Sequence, residues 1–179
     1  MSDPAPTGDP AALTRHIETR FHARHRIQLP ALAALAGKVE DVHFGDEDVP
    51  EGLSALLRRM IGALEVHMKK EELILFPAIR RGGGPGIEYP IAVMRADHDD
   101  HATEVADIRR LTAGLTLPQG ACGTRTALYA GLDEFTRRIS AQIVNSDVME
   151  EFSRAWGKAL SDSIAVKPET IAAIREAQK

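Results

Sequence analysis

The chain has 179 residues, 44% of them hydrophobic and 27% charged, with a formal charge of −4. That length buries a core without disulfides or a structural metal. The charge balance and the lack of a clustered Lys/Arg stripe exclude a nucleic-acid footprint, and no run approaches the roughly 20 apolar residues that span a bilayer. The opening MSDPAPTGDP lacks the basic and apolar regions of a signal peptide. Together with a single cysteine, Cys122, this predicts a cytoplasmic protein without disulfides. Cys122 itself reads as a small apolar residue near a helix start.

Residues 1–10, rich in Pro, Gly and Asp, read as a disordered lead-in, with Asp9 and Pro10 as N-cap and first residue of the first helix. Residues 11–40 carry a helical stripe of Glu18, His22, His25, Leu29, Leu32, Ala36 and Val39, with Pro30 as a kink point. The acidic, Gly- and Pro-containing segment 43–52 reads as a loop. A second helix presents Leu57, Met60, Leu64, His67, Glu71, Ile74 and Ala78 and stops at the GGGPG run 82–86. The third begins near Tyr89-Pro90 and turns Ile91, Met94, His98, His101, Val105 and Ile108 inward. The fourth, about 122–160, carries Leu128, Leu132, Phe135, Ile139, Gln142, Ser146 and Met149. These patterns predict an all-α, up-down-up-down four-helix bundle over residues 11–161, and a tail, 162–179, with a short helix after Pro168.

One buried histidine is commonplace, because a carbonyl or hydroxyl can satisfy it. Three at one depth are not. At about 1.5 Å per residue, His22 lies about 24 Å above the first corner, His67 reaches the same height on the returning helix, and His98 agrees within a turn across the second corner. Glu71 follows His67 by one turn, so HMKKE, residues 67–71, offers an imidazole and a carboxylate to a common centre. That donor set suits iron, manganese or zinc, and a Glu can bridge two ions. His43 lies 21 residues, about 31 Å, below His22, so it reads either as a loop histidine or, if the chain folds back, as a ligand. His16 and His25 read as supporting or surface groups. The pairs Lys69-Lys70 and Arg80-Arg81 and the acids around Asp46 read as solvated faces.

With these residues in view, the chain resembles hemerythrin-like proteins, and within them the family concerned with repair of iron-sulfur centres. The resemblance spans about residues 14–140 and rests on FHARHRIQLP (21–30), HMKKEELILFP (67–77) and the histidine of VMRADHDDH (93–101). It implies non-haem iron, two ions in a complete site, with His22, His67, Glu71 and His98 at ligand positions and His43 at a histidine sometimes counted with them. It further implies a stress protein that meets nitric oxide or oxygen species and serves iron-sulfur proteins. Two departures stand out. The family often carries a small N-terminal domain with a cysteine pair, where here only a short tail precedes the bundle. The family's last helix supplies H-x-x-x-E, where this chain has Gln142 and Ser146. His101, three residues after His98, is a candidate replacement ligand or a hydrogen-bond partner of Glu71; Glu150, one turn beyond Ser146, is a candidate carboxylate. The rival expectation is a metal sensor or interaction bundle whose two-iron site is incomplete or lost.

Overall fold

The computed structural model describes residues 5–6, 8–83 and 86–164. Helix α1 runs over residues 10–42 as Pro10–Ile17, a wider π turn at Glu18–His22, and Ala23–Val42. Helix α2 runs over 53–80 as Leu53–Lys70, a second π turn at Glu71–Leu75, and Phe76–Arg80. Helices α3, Glu88–Leu111, and α4, Gly123–Ile164, complete the described chain. Half of the expected disordered lead-in, and the whole of the expected tail helix after Pro168, lies outside the described residues.

Asp9 starts α1 as expected: its side chain accepts the Ala12 amide at 3.0 Å, and Pro10 follows at a position where its missing N–H costs nothing. At the first corner Glu40 accepts from both the amide and the hydroxyl of Ser54, supplying partners that the start of α2 lacks. Pro30 sits inside a continuous helix with its ring exposed. After α2 the chain turns through Gly82 at φ 89°, a left-handed conformation that suits glycine.

Neighbouring helices pack in the cyclic order α1–α2–α3–α4–α1. The start of α1 meets the end of α2, Arg154 late in α4 pairs with Glu88 at the start of α3, and Arg125 early in α4 pairs with Asp48 in the first corner. The helices are therefore antiparallel, and the expected bundle is the observed one. Helices α1 and α4 approach closely at Gly131: a Cβ there would lie 2.6 Å from Leu32 Cδ2.

The interior has three levels. One apolar cluster, including Leu29, Leu32, Leu57, Met60, Leu64, Leu132 and Phe135, fills the end near the first corner. Another, including Leu13, Ile17, Leu75, Phe76, Ile79 and Ile91, fills the opposite end. Between them lies a buried polar layer. Both π turns occur at that layer, and each inserts one extra residue into the repeat. This corrects the predicted stripes. Beyond Glu71 the buried residues are Leu75, Phe76 and Ile79 rather than Ile74, which is 56% exposed, and Ala78. On α1, Glu18 turns outward to Arg80 at 2.6 Å, while Ile17 and Phe21 face inward. On α3 and α4 the predicted stripes hold at Ile91, Met94, His98, His101, Ile108 and from Leu128 to Ser146; Met149 lies outside the described side chains.

Candidate metal centre

Glu71 stands at the middle of the polar layer, fully buried at the first residue of the α2 π turn. Its Oε2 lies 2.8 Å from His22 Nε2 and 3.4 Å from His67 Nε2, and accepts from Gln142 Nε2 at 3.4 Å. Its Oε1 accepts from the Ser146 hydroxyl at 3.1 Å. Burial alone would push this carboxyl up; the hydrogen bonds of His22 and His67 outweigh it and hold Glu71 well below the usual carboxylate range. One donor atom from each of His67, Glu71 and His98 lies within 4.8 Å of the others. The structure thus gathers His22, His67, Glu71 and His98 at one level.

Four imidazoles around this level have a carboxylate behind them. His22 Nδ1 donates to Glu72 at 2.9 Å, His67 to Asp97 at 3.3 Å, His98 to Asp147 at 3.3 Å and His101 to Glu104 at 2.8 Å. A carboxylate can only accept, so each partner fixes the proton on Nδ1 and leaves Nε2 as the inward atom. Burial favours the neutral form of His98, and the neighbouring His67 adds to that effect. His67 is pulled the other way: Glu71, then Asp97, more than offset its desolvation and raise its pKa. Glu72, Asp97, Asp147 and Glu104 were not legible as site residues, since each lies off the apolar stripe of its helix. The double acid of KEE at Glu71-Glu72 was the available signal.

Four buried ring atoms have no hydrogen-bond partner, Nε2 of His98 and of His101 at this level and both nitrogens of His25, nor does Oε1 of Glu150. Orphaned buried acceptors are costly, and a cation among them removes that cost. With four imidazoles and a carboxylate, the donors present fit iron.

Other expected residues fall in different places. Glu150 is buried, with Oε2 accepting from Arg95 at 3.3 Å, and burial raises its carboxyl to about 7. Gln142 and Ser146 are buried at the expected depth, but both donate to Glu71. His25 is buried rather than superficial, edge-on to Phe135 at 5.4 Å, and burial followed by the charge of His22 lowers its pKa to about 3. His43 does not reach the centre: at the end of α1 it donates to Asp46 at 2.9 Å and lies 3.4 Å from Cys122 Sγ. Its fold-back reading fails because α1 stays helical through residue 42. Cys122 is exposed, not a packed apolar residue, because it sits outside the bundle at the approach to α4. Nor are Lys70 and Arg80 merely solvated: Lys70 pairs with Asp97 at 2.8 Å, and Arg80 binds Glu18 and the Thr14 hydroxyl.

The family model described as the hemerythrin HHE cation binding domain matches residues 14–147. The chain is 47% identical over 125 residues to the iron-sulfur cluster repair protein YtfE of Pectobacterium carotovorum subsp. carotovorum, covering 70% of this chain and 57% of that protein. It is 46% identical over 123 residues to the iron-sulfur cluster repair protein YtfE of Yersinia pseudotuberculosis serotype O:1b, covering 69% and 56%. The chain spans a little over half the length of these curated relatives. Among the described residues no helix is long and apolar enough to cross a membrane.

Proposed function

Because the chain belongs to the hemerythrin HHE cation-binding domain family, we propose that it holds non-haem iron around Glu71 and serves the repair of damaged iron-sulfur clusters under nitrosative or oxidative stress in the cytoplasm. The observation that carries this reading is the buried Glu71 carboxylate flanked by His22 and His67, with His98 beside them and a carboxylate behind each ring. The repair role is supported by the names of the relatives, which share about 70% of this chain.

We assign the tighter iron to His67, Glu71 and His98; His22 with Glu71 marks a second, poorer position, because Gln142 and Ser146 are weak neutral donors where the resemblance implies His and Glu. Bound iron supplies redox chemistry and coordination positions for nitric oxide or an oxygen species. The chain's own part is to fix the rings through Glu72, Asp97 and Asp147 and to keep the layer dry between two apolar clusters. The partners are iron, nitric oxide or oxygen species, and iron-sulfur proteins, with neither nucleic acid nor membrane among them.

A second reading, a sensor or interaction bundle that has lost its two-iron site, is favoured by the hydrogen bonds that Gln142 and Ser146 give Glu71. Anaerobic iron(II) titration followed by nitric oxide and electron paramagnetic resonance decides between them. Tight iron with a nitrosyl signal supports the first reading, whereas a folded chain that takes up no iron supports the second.

A further inference from the structure

We propose that His101 is a metal ligand of this chain, a fourth donor beside His67, Glu71 and His98 on the wall shared by α2 and α3. This rests on the iron reading above and extends it to a residue outside the H-x-x-x-E pattern of the last helix.

His101 is 3% exposed, and its Nε2 is buried without a hydrogen-bond partner. A buried acceptor left unsatisfied is costly; the His25 ring, also unpartnered, packs against Phe135, whereas the His101 ring packs against His67. Its Nδ1, by contrast, donates to Glu104 at 2.8 Å. That bond fixes the tautomer whose lone pair is on Nε2, the same arrangement shown by His98, and the arrangement typical of metal-binding histidines. Placement agrees. His101 follows His98 by one turn of α3, and its ring centroid is 5.0 Å from that of His67, about equal to the 5.1 Å between His67 and His98.

His101 also lines an open groove of about 580 Å³ between α2 and α3, bordered by Gly62, Ala63, Lys70, Asp97 and Glu104. The small side chains of Gly62 and Ala63 leave room there, and the acids suit a hydrated cation on its way in. A buried metal site needs such an entry path. His101 thus sits where an arriving ion first meets an imidazole, and it adds a third imidazole to the position formed by His67, Glu71 and His98.

The test is anaerobic iron(II) affinity by chelator competition on the 179-residue chain, with helicity checked by circular dichroism. The variants are His101→Ala, Glu104→Gln and, as an exposed control on the same helix outside the groove, Asp99→Asn. His101→Ala is expected to weaken the tight iron by more than about 100-fold, beyond the roughly 10–100-fold that loss of an outer partner costs, with recovery in added imidazole. Glu104→Gln is expected within that roughly 10–100-fold range and Asp99→Asn to have no effect. Should His101→Ala lose helicity, His101→Gln is read in its place. Native chain that binds iron while the His101 variants bind it equally well overturns the role of His101 alone; native chain that binds none overturns the iron reading with it.

Discussion

Gln142 Nε2 lies 3.2 Å from His22 Nε2, so the position where the family's last helix places a histidine is occupied here by an amide in contact with the α1 imidazole. Gln142 thus has the depth and direction of a ligand but the chemistry of a weak neutral donor.

Gln142→His therefore restores a nitrogen donor beside His22. The second, weaker iron is expected to tighten by about tenfold or more, and the tight iron to change less, because Gln142 adjoins His22. Two-phase chelator competition on the two proteins checks this, and an unaltered weak phase refutes it.

The metal-free and iron-bound proteins should respond oppositely to pH. The pKa of His67 is raised above 6.5, so in metal-free protein its contribution to stability is full below about pH 6.5 and is lost as pH rises through the higher folded value. Glu71, lowered from 4.5, contributes above that value and loses its contribution as pH falls through the folded one. Metal-free stability from this pair thus peaks between about 4.5 and 6.5. Iron, which must displace the His67 proton, binds more tightly as pH rises, by up to about tenfold per unit while that proton is bound. Denaturant midpoints and iron affinities from pH 5 to 8 measure both trends.

Lys70, which looked like a surface cation, holds the Asp97 carboxylate at 2.8 Å, and Asp97 accepts from His67 Nδ1. Lys70→Ala is accordingly expected to cost severalfold in iron affinity, less than Asp97→Ala, which should lie in the roughly 10–100-fold range. Equal affinities for native chain and Asp97→Ala would show that the carboxylate does not orient His67.

How much of this was legible in the sequence depends on the backbone more than on the residues. The four-three spacing of Ile91, Met94, His98 and His101 on α3 needed only a regular helix, and that is what α3 is. Ile74 and Glu18 misled because both lie within π turns, whose extra residue rotates the chain beyond them, and nothing in EELIL or ETRFH announces the wider turn. Glu72 and Asp97 were hidden for a related reason: they flank the stripe and reach the rings from the side. His43 followed from length alone, since 21 helical residues carry it to the far end of the bundle.

At that far end, His43 and then the start of α4 lower the Cys122 thiol to about 7. The rate of alkylation by iodoacetamide should rise through a midpoint near 7, and His43→Ala should move that midpoint upward. An unchanged midpoint would mean that the imidazole does not act on the thiol.

Whether Glu71 organises an iron site is measured most directly as iron bound per chain after anaerobic loading and desalting of native protein and Glu71→Ala. Tightly retained iron is expected in the native chain and nearly none in the variant, with both proteins helical. Iron retained equally by both would contradict a site built on this carboxylate.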